Sequence, residues 1–113
     1  MTAYRRGEVV LVRFIFSDET GERQRPAVIV SSDAYHESRQ DVIIAAITSR
    51  TDRILMGDNL IRGWQEAGLL FPSVATGIIR TIKHGMIAKK VGAMPLADMK
   101  RIEGNLRDAL GLK

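Results

Sequence analysis

Only one stretch of this 113-residue chain has the period of an amphipathic helix, and it is the last one. Residues 96–110 place apolar side chains at spacings of three and four, at Met99, Ile102, Leu106 and Leu110. Before it come short apolar runs separated by polar residues and glycines, the longest uninterrupted one being 42–47. A run of that length suits a strand and is far too short to span a membrane. We therefore predict a mainly β fold, a small and strongly bent barrel, with a C-terminal α-helix.

The apolar runs also locate the individual strands. Residues 8–16 are rich in β-branched and aromatic side chains, which predicts the first strand. The continuous apolar run in 41–48 predicts a strand buried on both faces. Residues 33–40 are polar and predict one helical turn, capped by Ser32 or Asp33. Shorter strands are predicted at 54–56, 73–75, 78–82 and 86–94, with a turn of helix or an irregular connection at 60–68. Trp64 in this connection is predicted as a core residue, with stacking on a base as the alternative.

Composition limits the classes of function. The formal net charge is +4 and the sequence pI is near 9.9, which is compatible with a polyanionic partner. The absence of cysteine excludes disulfides and thiolate metal sites and suits a reducing cytoplasm. His36 and His84 are the only histidines, and neither stands at metal spacing from carboxylates, so we expect surface histidines, no metal site and no cofactor. On length, residues 1–113 form one domain, with no signal peptide and no membrane association.

The first candidate site is the basic segment before the second apolar run, Arg23-Gln24-Arg25-Pro26. Proline cannot donate to a sheet ladder and is tolerated as the first residue of a strand, so 26–31 is predicted as the second strand. Arg25 then lies at the junction of a loop and a strand, on a rigid backbone. Its guanidinium offers five donors in a planar fork that suits phosphate oxygens. A solvated arginine beside a strand start is the structural alternative.

Several short motifs follow one another along the chain in a characteristic order. They are Arg6-Gly7-Glu8-Val9-Val10, Arg25-Pro26-Ala27-Val28-Ile29-Val30, Ile44-Ala45-Ala46-Ile47-Thr48-Ser49, Trp64, Ala67-Gly68-Leu69, Pro72-Ser73-Val74 and Ile79-Arg80-Thr81-Ile82. In this order and spacing, the chain resembles the MazF/PemK family of toxin endoribonucleases of type II toxin–antitoxin systems. The resemblance implies an SH3-like barrel, a homodimer and a cognate antitoxin with which the toxin binds DNA as a complex. It also implies sequence-specific, metal-independent cleavage of single-stranded mRNA, which inhibits translation and growth.

The resemblance assigns roles to particular residues. Arg25 matches the family's catalytic arginine and Thr48 its catalytic threonine. Arg25 suits stabilisation of the charge on a phosphorane but not proton abstraction, because arginine is not deprotonated in proteins. The Thr48 hydroxyl can donate to the same phosphate, and a strand-end threonine that bonds the backbone is the alternative. The predicted substrate-binding residues are Glu19, Glu22, Arg23, Ser49, Ser73 and Arg80.

Departures from the family pattern leave the general base open. Many relatives carry an acidic residue and a glutamine where this chain has Gly77-Ile78, and often a glutamate where it has Thr20. Glu19, Glu22 or Asp18 then serves as the base, or the reaction relies on electrostatics alone. Two alternatives to a nuclease stay open: a same-fold toxin that binds and poisons a partner such as a topoisomerase, and a plain nucleic-acid-binding barrel.

Overall fold

Six strands form one antiparallel sheet in the computed structural model, which describes residues 4–15 and 22–113. The elements are β1 (Glu8–Ile15), β2 (Glu22–Ile29), α1 (Asp33–Arg39), β3 (Asp41–Thr48), β4 (Asn59–Leu60), β5 (Val74–Lys83), a 3-10 turn (His84–Met86), β6 (Ile87–Ala93) and α2 (Leu96–Leu110). The strands lie in the order β4-β5-β3-β2-β1-β6. The mainly β fold with a C-terminal helix is confirmed, and α2 has the predicted bounds. Neither helix of this described part is long and apolar enough to cross a membrane.

β3 is the central buried strand, as its continuous apolar run predicts. Val42 and Ile44 pack into one hydrophobic cluster, while Ala45 and Ile47 pack into a second. The strand therefore contributes to a core on each face of the sheet. α2 covers the second cluster with residues such as Met99, which is 4% exposed. Fully burying a side chain of this size contributes roughly 1.5–3 kcal/mol, so the apolar stripe of α2 supplies much of what holds the helix in place.

The two edges of the sheet approach each other through glycine contacts. A Cβ on Gly68 would collide with the carbonyl oxygen of Val91, and a Cβ on Gly92 would collide with that of Ala67. Gly68 also has φ +85°, a left-handed conformation that glycine adopts without steric cost. The connection after β4 thus packs directly on β6 and bends the sheet towards a barrel, although no ladder joins β4 to β6 in the described part of the chain. Trp64 lies in this connection and is partly buried against the core, as predicted.

α1 is short and is fixed by polar contacts. Ser32 is its N-cap, as predicted, and accepts a hydrogen bond from the backbone N–H three residues later at 3.1 Å. His36 is buried, so its prediction as a surface histidine is wrong. Its ring hydrogen-bonds the Ser31 hydroxyl and, at 3.0 Å, the Tyr4 carbonyl oxygen. Because Ser31 and Tyr4 lie outside α1, no pattern within this helix indicates that His36 is buried. His84, the other histidine, is half-buried.

β2 begins four residues before its predicted start. Its first residue is Glu22 rather than Pro26, and it pairs with β1 from Ile15 back to Val9. The polar composition of 22–25 predicts a loop, but pairing with the neighbouring strand overrides that weak local preference. Arg25 therefore lies inside a strand and not at a loop junction, which fixes its backbone on the β1 side.

Residues 54–56 do not form the predicted strand, because 54–55 are irregular and lead into a turn at 56–57. The Leu55 N–H donates to the Asp58 carboxylate at 2.9 Å, and the Asp58 N–H donates to the Leu55 carbonyl oxygen at 3.0 Å. These bonds close the turn and leave the side chains of Ile54, Leu55 and Met56 at least half exposed. The apolar triplet resembles a strand in sequence, but the side chain of Asp58 decides its conformation.

β5 is one strand where two were predicted. Its register against β3 shifts between Ala45 and Ile47, so that residues 76–78 stand opposite Ala46 alone. The Thr76 hydroxyl donates to the Ala46 carbonyl oxygen at 2.7 Å, which satisfies a backbone group within this bulge. The polar break in the apolar pattern marks the bulge rather than the end of a strand.

Asp98 anchors α2 to the segment after β4. Its carboxylate accepts the backbone N–H groups of Arg62 and Gly63, each at 2.9 Å, and the Arg101 guanidinium at 2.6 Å. The Asp98 side chain is 2% exposed. Burial raises the pKa of this carboxyl, but the hydrogen bonds and the Arg101 charge together outweigh burial and hold the pKa below its usual value. This buried charge is therefore partnered on both oxygens, as a buried charge has to be.

Candidate active site

A cleft opens where β2 and β3 separate. The two strands pair only over residues 27–29 and 44–46, and the pairing stops beside Pro26, which has no N–H to donate. Continuing the register by two residues sets Arg25 opposite Thr48. Opposed positions of two antiparallel strands lie on the same face of the sheet. The fold thus brings together two residues that are far apart in sequence, at positions where β2 and β3 no longer pair with each other.

The cleft is large enough for part of a nucleotide chain. Its volume is about 490 Å³, and residues of β1, β2, β3, β6 and the connection between β4 and β5 form its walls. The lining residues are Leu11, Arg25, Pro26, Ile47, Thr48, Ser49, Gly68, Leu69, Leu70, Phe71, Ser73, Lys89 and Val91. Apolar walls with a few convergent polar groups are the usual composition of a ligand site.

Among the described residues, positive charge in this cleft has no matching carboxylate. Arg25 and Lys89 are exposed cations of the lining, and none of the lining residues within 4–15 and 22–113 is acidic. Within residues 4–15 and 22–113, neither cation forms an ion pair or a side-chain hydrogen bond. An arginine fork can bind two oxygens of one phosphate. The electrostatics of the cleft therefore suit an anionic ligand such as a phosphodiester.

The Thr48 hydroxyl is held by one local hydrogen bond and keeps its proton available. It accepts the backbone N–H of Arg50 at 3.1 Å, the local bond expected of a strand-end threonine. A hydroxyl that accepts in this way can still donate through its own hydrogen. The backbone bond fixes the oxygen, so the structural alternative for Thr48 and a donor role towards a phosphate are compatible.

Two predicted substrate-binding serines also line the cleft. Ser49 follows Thr48 and is exposed. Ser73 is 4% exposed, and its hydroxyl donates to the Phe71 carbonyl oxygen at 2.7 Å. Because a hydroxyl has a single proton to donate, Ser73 uses its donor inside the protein. Its position suits a residue that shapes the loop carrying Phe71.

The other predicted substrate-binding residues lie outside the lining. Arg23 is exposed in β2, two residues before Arg25 and opposite Phe14, so it continues the same face of the strand beyond the cleft. The backbone of Glu22 pairs with Ile15 at the start of β2. Glu19, together with the other acidic candidate Asp18, lies outside the described residues.

Arg80 stands apart from the cleft. It pairs with Ile44, whereas Thr48 pairs with Val74, six residues earlier in β5. Because β5 bulges at 76–78, the facing span of β3 from Ile44 to Thr48 is only four residues. At about 3.3 Å per residue, the separation along the sheet is about 13 Å. The fold therefore gathers Arg25, Thr48, Ser49 and Ser73 at one place and leaves Arg80 far from them.

Sequence reasoning overlooked two residues of the cleft. Lys89 stands among the basic residues late in the chain, which are typical of a solvated face, yet it registers with Leu11 and lines the cleft together with Val91. The register of β6 against β1 shifts on both sides of Lys89, and Ile87 and Val91 pack into different clusters, so no regular alternation in 87–91 indicates which way Lys89 faces. Phe71 lies in a connection without periodicity, and no local signal indicates its position.

A side chain at Gly77 would be tightly packed against neighbouring backbone. A Cβ there would lie 3.1 Å from the Cα of Gly57 and 3.2 Å from the carbonyl oxygen of Met56, both backbone atoms. The Gly77 N–H donates to the Asp58 carboxylate at 2.8 Å. The turn before Asp58 therefore packs closely against Gly77, and a larger residue there would require this turn to shift slightly. Elsewhere in the described residues, no group of three or more histidines and carboxylates stands close enough to hold a metal ion.

Similarity to known proteins extends over nearly the whole chain. The model of the family described as PemK-like, MazF-like toxin of type II toxin–antitoxin system matches residues 5–110. No curated protein sequence matches the chain significantly.

Solved structures share the fold. An endoribonuclease in complex with its cognate antitoxin, from Mycobacterial species, is 25% identical with a TM-score of 0.77, and the match covers 98% of each chain. The Mycobacterium tuberculosis toxin MazF-mt6 is 20% identical with a TM-score of 0.75, over 94% of this chain and 98% of its own. A MazE–MazF structure from Deinococcus radiodurans is 17% identical with a TM-score of 0.76, over 99% and 100%. Since the family model covers far more than half of its length, the chain belongs to the PemK-like, MazF-like toxins of type II toxin–antitoxin systems.

Proposed function

We propose that this chain is a toxin that cleaves single-stranded mRNA at specific sequences, with the 2′-hydroxyl of the RNA as nucleophile, and so inhibits translation and growth. The observation that supports this most is that Arg25 and Thr48, at opposed positions of β2 and β3, line one positively charged cleft. The mycobacterial structures that are 25% identical to it are described as endoribonucleases. This favours a nuclease over a toxin that poisons a protein partner and over a plain nucleic-acid-binding barrel.

In the proposed reaction, the 2′-oxygen attacks the adjacent phosphorus while the bond to the 5′-oxygen breaks. The products are a 2′,3′-cyclic phosphate and a free 5′-hydroxyl, so the proton lost from the 2′-oxygen is balanced by one gained at the leaving oxygen. Arg25 binds the non-bridging oxygens, and Thr48 donates a hydrogen bond to the same phosphate. Each such donor, placed where charge develops, contributes on the order of 10²–10³ in rate.

We propose two alternative forms of the reaction, which differ in the general base. None of the lining residues that the structure describes is acidic, and a side chain at Gly77, where many relatives carry an acidic residue, would be in tight contact with the backbone of Gly57 and Met56. Glu19 or Asp18 from the first loop, or Glu22 at the start of β2, supplies the base in one form. In the other, charge stabilisation by Arg25 drives the reaction without a dedicated base.

We also propose how the protein assembles, on the basis of its family membership. The chain forms a homodimer, binds a cognate antitoxin and, in complex with it, binds DNA in the cytoplasm. A structure at 25% identity contains its cognate antitoxin, and MazE–MazF structures share the fold. We further propose that residues 1–113 act as a single toxin domain and need no cofactor or metal ion.

A substituted RNA strand tests the chemistry. Once the cleaved step is mapped, replacing its single ribose by deoxyribose removes the nucleophile and should stop cleavage, while binding stays nearly unchanged because the phosphates and bases remain. The all-ribose strand should be cut in excess EDTA and should yield a 2′,3′-cyclic phosphate. Cleavage of the substituted strand at the same bond, or loss of cleavage in EDTA, would contradict the proposed reaction.

A further inference from the structure

Two residues of the cleft have no part in the reaction proposed above, and both face solvent. Phe71 lies in the connection before β5 and is 61% exposed, and Lys89 lies in β6 and is also exposed. They line the same cleft as Arg25 and Thr48. We propose that Phe71 and Lys89 form a nucleotide subsite, where an unpaired base beside the scissile step stacks on the ring and a neighbouring phosphate binds the ammonium group. This inference rests on the proposed cleavage of single-stranded RNA.

Phe71 is a large apolar ring on a fixed backbone. Its carbonyl oxygen accepts the hydroxyl of the buried Ser73 at 2.7 Å, and the Ser73 carbonyl oxygen accepts the Ile61 N–H at 2.9 Å. Pro72 lies between them and restricts the backbone further. Bases of any sequence stack on aromatic rings, and a backbone already held in place loses little entropy on binding. The predicted substrate-binding residue Ser73 thereby becomes a positioning residue of this subsite.

Lys89 is distinguished by comparison with its neighbour. Successive residues of a strand point to opposite faces, and Lys90 on the other face pairs with Glu8 at 2.8 Å. Lys89 registers with Leu11, another cleft residue, and has no ion-pair partner in residues 4–15 and 22–113. Lys90 is thus paired with a carboxylate of the protein itself, while Lys89 is available to an external anion. An RNA strand passing Arg25 carries that anion at every nucleotide.

Binding to a noncleavable strand tests the two contacts separately. The probe is a short single-stranded RNA centred on the mapped cleavage step, with deoxyribose at that step, and its Kd is measured over a salt series. Lys89→Gln should weaken binding and reduce the slope of log K against log salt by about 0.7, the value for one phosphate contact on a single strand. Phe71→Ala should raise Kd by roughly 5- to 150-fold with the slope unchanged, and Phe71→Trp should restore binding.

Lys90→Gln is the matched control, since it removes the same charge from the same strand on the other face. It should leave both Kd and the slope close to those of the parent. An unchanged slope in Lys89→Gln, or unchanged binding in Phe71→Ala, overturns the subsite even if the parent cuts RNA and Arg25→Ala does not. Loss of antitoxin binding without loss of RNA binding in Phe71→Ala would instead assign the ring to a protein contact, which also overturns it. If the parent cuts no RNA at all, the proposed function fails first and the subsite with it.

Discussion

The Asp98 cluster and the cleft treat charge in opposite ways. Asp98 is buried, and two backbone N–H groups and Arg101 satisfy its carboxylate. Arg25 and Lys89 are exposed, and neither has an ion-pair partner in the part of the chain that the structure describes. The hydrogen bonds of Asp98 hold α2 to the rest of the fold. The charges of Arg25 and Lys89 are available to a ligand.

The difference separates stability from function within one small fold. A buried carboxylate that loses its partners lowers the free energy of unfolding, because its desolvation is no longer offset by hydrogen bonds. Removing an exposed arginine such as Arg25 costs the folded state little, because water already solvates its side chain. Substitutions in the two regions should therefore change different measured quantities, and each prediction below tests that separation.

The largest expected effect is on cleavage. Arg25→Ala and Thr48→Ala each remove a donor that acts where charge develops, so the cleavage rate should fall by on the order of 10²–10³. The free energy of unfolding should change by no more than about 0.5 kcal/mol in Arg25→Ala, a surface substitution. It should fall by about 1 kcal/mol in Thr48→Ala, because the half-buried Thr48 hydroxyl accepts the Arg50 N–H. Single-turnover cleavage and denaturant unfolding of the same preparations measure both quantities.

Matched controls exist for both substitutions. Arg62→Ala removes an exposed arginine outside the cleft, and Thr81→Ala removes an exposed threonine outside it. Both should cleave at the parental rate, and Thr48→Ser should recover much of the loss seen in Thr48→Ala. Parental activity of Arg25→Ala and Thr48→Ala at equal concentration would remove the catalytic assignment.

The second effect is on stability. Asp98→Asn replaces a carboxylate that accepts three hydrogen bonds by an amide that presents donors to donors, and should lower the free energy of unfolding by about 3 kcal/mol. Asp108→Asn, an exposed carboxylate on the same helix, should change it by less than about 0.5 kcal/mol. Under conditions where both variants are folded, both should cleave RNA at the parental rate. A stable but inactive Asp98→Asn would show that the two regions are not separable.

The third effect is smaller and depends on pH. Burial opposes ionisation of Asp98, but its hydrogen bonds and Arg101 lower its pKa below the usual value. A carboxyl with a lowered folded pKa contributes stability above the unfolded pKa of about 3.9, and this contribution is lost as pH falls through the folded value. The parent should therefore lose stability below about pH 4, and Asp98→Asn should show a flatter profile there.

Asp52 also has a lowered pKa, so it affects the pH dependence of stability in the same range, but it does so in both proteins. The hydrogen bond from Arg50 is the main cause of its lowered pKa, and its side chain is 67% exposed. Both proteins retain this group, so the difference between their profiles reports Asp98. Parallel profiles in urea titrations between pH 2.5 and 6 would contradict the assignment.

The fold was predictable wherever one local pattern decided it. The apolar period of α2 and the continuous run of β3 predicted their bounds, and Ser32 predicted the start of α1. Predictions failed where a distant partner decided the conformation. Pairing with β1 extends β2 through polar residues, and the Asp58 side chain turns 54–56 away from a strand.

The site divides in the same way. Arg25 and Thr48 were predictable because motifs mark them, and the register between β2 and β3 supports their proximity. Lys89 and Phe71 depend on which strand and which connection close the cleft, and a single sequence does not contain that information in local form. Arg80 belongs to a recognisable motif, but the length of β5 carries it away from the cleft.

An NMR titration tests the central claim most directly, namely that RNA binds where the charges are unpartnered. The probe is the single-stranded RNA with deoxyribose at the cleaved step, added to isotope-labelled protein. Backbone amide shifts should concentrate at Arg25, Thr48 and Ser49 and should leave the Asp98 partners Arg62 and Gly63 unchanged. Shifts concentrated at Arg62 and Gly63, with the cleft amides unmoved at saturation, would contradict the account.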